Sequence, residues 1–198
     1  MRKNLAVLFL VLVFLASGVV VASQASATVI DFSGLANGTA VTTQYPGVVF
    51  SLQGQPDSSG PPTTNNYWGE GLANSSYPDY PTANILNIAF TAPVTGLSFT
   101  FTNYGTYAPT TYTAFNAASA VVSSGSLALV GQSVFEGVNV AGSGITDLQL
   151  NNNMGSSSWY FAVQQVTFTP SAVPLPGALL LFGPGLAGLA VVRRRFKK

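Results

Sequence analysis

The chain of 198 residues contains no cysteine and no histidine. Without thiols there are no disulfides, no thiolate nucleophiles and no Cys/His zinc sites. Without imidazole the usual Ser-His-Asp arrangement has no base. Charge is scarce too, at 7% of residues, against about 25% in ordinary soluble domains. Its placement is more telling than its amount. All seven cations lie at the termini, at Arg2, Lys3, Arg193, Arg194, Arg195, Lys197 and Lys198. All six acids lie between them, at Asp31, Asp57, Glu70, Asp79, Glu136 and Asp147. A body with no lysine or arginine cannot neutralise phosphates, which argues against nucleic acid as a partner. It has no cation to grip a phosphorylated cofactor either.

The two ends carry the apolar excess. "MRKNLAVLFLVLVFLASGVVVASQASA" opens with Arg2 and Lys3, continues through a long apolar run, and closes on Ala25-Ser26-Ala27. A basic start, an apolar middle and small residues at the end are the parts of a secretory signal peptide. Residues 1–27 are therefore predicted as that signal, with the mature chain starting at Thr28.

At the other end, residues 173–192 are mostly apolar. Twenty residues at about 1.5 Å each span roughly 30 Å, enough for one bilayer crossing. Pro184 and its flanking glycines weaken a helix, but membrane helices tolerate them. "RRRFKK" follows and is expected to stay cytoplasmic, so that Arg193, Arg194 and Arg195 act as a topological stop.

The order of parts in "VPLPGALLLFGPGLAGLAVVRRR" resembles the PEP-CTERM sorting domain of Gram-negative bacteria. That family has a short proline motif, an apolar helix and a terminal arginine cluster. The motif is usually Val-Pro-Glu-Pro. Here it is Val173, Pro174, Leu175 and Pro176, with leucine in place of the usual glutamate. The resemblance covers about 26 residues and divides 171–198 into the motif at 173–176, a transmembrane helix at 177–192 and a basic tail at 193–198. It implies recognition by an exosortase, a membrane cysteine-dependent processing enzyme. It also implies export across the inner membrane, an anchored precursor, and transfer to the cell surface or release, often alongside exopolysaccharide production.

Between the ends, residues 28–170 are rich in Thr, Ser, Asn, Gly, Val and aromatics. That composition disfavours long amphipathic helices and favours strands. "TVIDF", "GVVFSLQ", "NILNIAF", "GLSFTFTN", "TYTAFNA", "SLALV", "SVFEGVNV", "ITDLQL" and "WYFAVQQVTFT" all read as strands. In "GLSFTFTN", Leu97, Phe99 and Phe101 share one face. In the last segment alternation sets Phe161, Val163, Gln165 and Thr167 against Tyr160, Ala162, Gln164, Val166 and Phe168, so both faces look partly covered. Turn signals stand at 117–119 and 124–125, and "AGSG" at 141–144 reads as a hairpin turn. The predicted fold class is all-β: an antiparallel, jelly-roll-like β-sandwich flanked by the signal peptide and the C-terminal transmembrane helix.

A second, shorter resemblance points the same way. "IDFSGLANGTAVTTQYPGVVFS" looks like the first hairpin, and "WYFAVQQVTFTP" like the last strand, of jelly-roll domains common in surface-anchored bacterial proteins. Many of those carry an aspartate in the last strand near a structural calcium. Gln164 and Gln165 stand there instead, leaving Asp31 as the one nameable carboxylate, too few for an oxygen cage. No metal and no cofactor is expected.

Residues 55–82 form a long stretch with five prolines and no clear strand. It carries Tyr67, Trp68, Tyr77 and Tyr80, many aromatics for a disordered segment, and is expected to be partly ordered over one end of the sandwich. Aromatic faces stack on pyranose rings while Asn, Asp and backbone groups bind hydroxyls. These four residues are thus candidates for binding polysaccharide, with Trp159 better read as packing. The six acids are each isolated, against the close pair that glycoside hydrolysis needs, and there is no Gly-x-Ser-x-Gly elbow. The sequence therefore predicts a non-enzymatic exported surface or matrix protein that an exosortase processes. The alternative is a carbohydrate-binding module working through the loop aromatics.

Overall fold

A computed structural model describes residues 26–54, 60–65, 71–74, 85–103, 110–131, 133–152 and 161–171, all within the compact unit Ala25–Ser171. These residues are all-β. Ten strands follow in chain order: β1 (Thr28–Asp31), β2 (Val48–Gln53), β3 (Thr64–Asn65), β4 (Gly71–Ala73), β5 (Ile85–Asn103), β6 (Thr111–Asn116), β7 (Val121–Ser126), β8 (Glu136–Asn139), β9 (Ser143–Asn151) and β10 (Phe161–Pro170). Every pairing among them is antiparallel.

Hydrogen bonding runs continuously through all ten because β5 belongs to two layers. Residues 85–90 of β5 lie between β2 and β9, and β6 and β7 extend that first sheet. Residues 94–103 lie against β10, with β8 on the opposite edge. Beyond β10 come β1 and β4, placed in series along its far edge, and then β3. The register of β5 shifts between Ala89 and Val94 and again before Thr95. Pro93 has no N–H to offer a ladder, and Gly96 takes a φ of 58°, which glycine adopts without strain. A strand that bends and changes sheets makes a sandwich corner.

The layers meet through aromatic rings. Phe90 of the first sheet lies 5.0 Å from Phe168 of the second, Phe50 lies 5.5 Å from Phe32 just after β1, and Tyr112 lies 6.1 Å from Phe99. Around them Val48, Leu86, Ile88, Ile145, Leu148 and Leu150 face Ile30, Leu97, Phe101, Phe161, Val163 and Val166 in one buried core. Each fully buried Leu, Ile or Phe contributes about 1.5–3 kcal/mol. With no cysteine to staple the domain, this core carries its stability.

The structure corrects several expectations. The strands predicted at 84–90 and 96–103 are not separate: residues 85–90 and 96–103 both belong to β5, across the corner. Residues 30–51 do not form a hairpin: β1 pairs with β10 and β2 with β5, because the sixteen residues between them carry the chain from one sheet to the other. Residues 127–130 are not a strand, and Ser124 and Gly125 lie inside β7, not in a turn. The proline-rich stretch supplies two strands, β3 and β4, and Leu72 and Ala73 are fully buried. In β10 a bulge between Val163 and Gln165 shifts the phase of the strand. Phe161, Val163, Val166 and Phe168 thus all face the core, which simple alternation does not allow.

No helix among the described residues is long and apolar enough to cross a membrane. The predicted signal peptide, except Ser26 and Ala27, and the sorting segment from 172 on lie outside the described residues.

Candidate functional site

The inner face of the first sheet is apolar; its outer face is not. Cross-strand register places Ser51, Asn87, Gln149, Thr113 and Ser124 in one outward row. Val49, Ala89, Asp147, Phe115 and Val121 form the next. The alternation of strands dictates both rows: Leu86 and Ile88 point inward, so Asn87 between them points outward.

An open cavity of about 380 Å³ lies on this face. Its floor is Asn87, Asp147 and Gln149, with Gln53 from β2 at one side. Its wall is Phe115, Asn116, Ala117 and Ser119, where β6 turns into β7, with Thr146 beside them. The turn falls where the sequence signals it. Asn116 Oδ1 accepts the N–H groups of Ala118 and Ala120, both at 3.0 Å, and Ser119 adopts a φ of 57°. The Asn116 carbonyl accepts the Ser119 N–H at 2.8 Å, and the Asn116 N–H donates to the Ala120 carbonyl at 3.0 Å. Because this asparagine organises the turn, the cavity wall is fixed in place.

Asn87 is the most informative residue of the site. It is only 7% exposed, and its Oδ1 is buried without a hydrogen-bond partner. Its amide donates instead to Asp147, since a carboxylate only accepts. Burial pushes the Asp147 carboxyl above its usual range, and the hydrogen bond from Asn87 opposes this to a lesser degree. A buried acceptor without a donor costs about 1–3 kcal/mol. Here the residue that bears the acceptor is one of those lining an open cavity.

The site therefore offers side-chain amides, one carboxylate, small hydroxyls and one aromatic ring. It holds no pair of carboxylates and, among the described residues, no nucleophile with a base. Of the other acids, Glu136 pairs opposite Phe101 at the edge of the second sheet. Asp31 lies on β1, across β10, its Oδ1 accepting the Ser33 N–H at 2.9 Å. The Ser33 backbone and hydroxyl bonds hold the Asp31 carboxyl below its usual range. No three metal-ligating side chains group together among the described residues.

Tyr67, Trp68, Tyr77, Tyr80 and Trp159 lie outside the described residues, as do Val173, Pro174, Leu175, Pro176 and Arg193, Arg194 and Arg195. The strands that flank Tyr67 and Trp68 in sequence, β3 and β4, belong to the edge of the second sheet, whereas the cavity is on the first. Composition points to the loop aromatics as binding candidates, whereas Asn87 carries only a faint local signal. The available signal was a single amide inside the otherwise apolar run Ile85, Leu86, Ile88, Ala89, Phe90, opposite a strand that alternates Asp147, Leu148, Gln149, Leu150.

No family model matches the chain, and no curated protein does. Among solved structures, the K3 cleaved adhesin domain of Lys-gingipain from Porphyromonas gingivalis aligns over 72% of this chain and 91% of its own, at 13% identity and a TM-score of 0.33. The GH26-CBM35 β-(1,4)-mannanase of Podospora anserina aligns over 77% of this chain and 29% of its own, at 19% identity and a TM-score of 0.30. BiXyn10A CBM1 in its apo form aligns over 75% of this chain and 100% of its own, at 12% identity and a TM-score of 0.29. At these scores the likenesses carry no argument about this chain.

Proposed function

We propose that this is a non-enzymatic exported protein of a Gram-negative bacterium that binds polysaccharide at the cell surface or in the extracellular matrix. Residues 1–27 direct export. The segment 171–198 is a PEP-CTERM-like sorting signal: an exosortase reads Val173, Pro174, Leu175 and Pro176 while the helix at 177–192 and the basic tail hold the precursor in the inner membrane. The β-sandwich is the part delivered.

The observation that carries the binding reading is that Asn87, whose buried Oδ1 has no partner, lines an open, amide-rich cavity, where a turn of its side chain would present that oxygen to a ligand. A sugar hydroxyl supplies the missing donor, and neighbouring hydroxyls reach Gln149, Gln53 and Asp147. Phe115 offers an apolar ring of the kind that packs against a pyranose face. The loop aromatics Tyr67, Trp68, Tyr77 and Tyr80 are a second place where the same chemistry would work.

The test uses protein recovered from the envelope and culture fluid of its host. Affinity electrophoresis through gels containing a panel of polysaccharides is expected to retard it on at least one, and Asn87→Leu to abolish that retardation. Unretarded migration on every polymer would refute the binding reading. The sorting reading is checked separately by intact mass. A mature species lacking the residues beyond the 173–176 motif is expected, whereas one retaining 193–198 would mean a permanent anchor.

A further inference from the structure

Resting on the binding reading, we infer that the cavity on the outer face of the first sheet takes uncharged sugar units and rejects uronic or sulfated ones. Among the described residues Asp147 is the sole charged side chain lining it. The sequence places no lysine, arginine or histidine anywhere from residue 4 to residue 192. An anionic sugar would thus meet a carboxylate with no cation in the domain to offset it.

The arrangement makes this repulsion effective. Asp147 lines the same cavity, diagonal to Asn87 across the β5–β9 pair and hydrogen-bonded to its amide, so a ligand that satisfies Asn87 Oδ1 lies within a few ångströms of it. Burial already disfavours the Asp147 charge, and a second anion there adds to that strain without any compensating donor. At such separations, with the moderate effective dielectric of a half-buried site, like-charge repulsion lowers affinity by roughly ten- to a hundredfold. Neutral hexoses carry no such penalty. Their hydroxyls donate to Asn87 Oδ1 and Asp147 and accept from the amides of Gln149 and Gln53.

The experiment compares matched polymers on the protein as recovered from its host. Neutral glucan, galactomannan and xylan are titrated beside alginate and polygalacturonate, and the best neutral ligand beside its own sulfated derivative, at low salt. The expected result is affinity for a neutral polymer at least tenfold above its sulfated derivative and above both uronates. Asp147→Asn, which removes the charge but not the shape, is expected to narrow that gap severalfold, read as the ratio of neutral to acidic affinity whatever the variant does to neutral binding itself. Equal or tighter binding of the acidic polymers overturns the inference and leaves the binding reading standing. So does a gap that Asp147→Asn leaves unchanged. Failure to bind any polymer, neutral or acidic, overturns the binding reading itself and this inference with it.

Discussion

The two faces of the first sheet differ by one residue step along each strand and by everything else. Inward, Leu86, Ile88, Leu148 and Leu150 are fully buried. Outward, Asn87, Asp147 and Gln149 line an open cavity. The inner face is interchangeable in kind, since any well-fitting apolar residue would do. The outer face is not: a buried acceptor without a partner and a half-buried carboxylate both cost stability, and neither is needed to hold the sandwich together. A sheet that keeps such costs on one face and none on the other would, on the proposed binding reading, separate folding from binding.

Leu148 and Gln149 break that comparison most directly. Leu148→Ala is expected to cost about 2–5 kcal/mol in chemical denaturation, because it empties a fully buried site. Gln149→Ala, one residue on, should stay within about 0.5 kcal/mol while weakening glycan binding. Comparable losses of stability from both would mean the outer face is structural after all.

Gly71→Ala comes next and extends the comparison to the second sheet. A Cβ there would meet the Val163 carbonyl oxygen at 2.7 Å, so β4 must be displaced from β10, at a cost of about 1–3 kcal/mol. Glycan binding by the cavity should be unchanged, since β4 lies in the other layer.

Asn87→Leu removes the unpartnered oxygen and keeps the volume. The variant is expected to be as stable as the parent or up to about 1 kcal/mol more so, and to lose binding at least tenfold. An unstable variant would show that Asn87 supports the fold through its bond to Asp147.

The smallest effect is a pH dependence. The Asp147 carboxyl is raised by burial, so the folded state holds its proton more tightly than the unfolded state. Its charge therefore costs stability at pH above both values, and the cost fades as pH falls through the folded value toward the unfolded one. Asp147→Asn should be slightly stabilising at neutral pH, with the difference vanishing on acidification. Asp31 runs the other way: its carboxyl is lowered, so its contribution is present above the unfolded value and lost as pH falls through the folded one.

Much of the fold is legible in the sequence because strand alternation is a local signal. Leu97, Phe99 and Phe101 are placed on one face by spacing alone, and all three are buried. What spacing does not reveal is register. The bulge at Gln164 turns a strand that looks covered on both faces into one with a single apolar face. The bend at 91–96 makes one strand of two. β3 and β4 are three residues or fewer, too short for periodicity to register; β4 owes its place to pairing with β10, and β3 to pairing with β4. Ser124 and Gly125 carry turn chemistry yet sit in β7, held by cross-strand pairing to Thr113 and Tyr112. The cavity was illegible for a similar reason. Asn87, Asp147, Gln149 and Gln53 come from three strands, and only the pairing of β2, β5 and β9 brings them together.

The most direct test of the account is a glycan titration by calorimetry of three proteins side by side: the parent, Asn87→Leu and Trp68→Ala. The account predicts that Asn87→Leu loses binding to the neutral polymer at least tenfold while Trp68→Ala keeps it. Binding that survives Asn87→Leu and disappears in Trp68→Ala would contradict it, and would return the site to the aromatics of the proline-rich stretch.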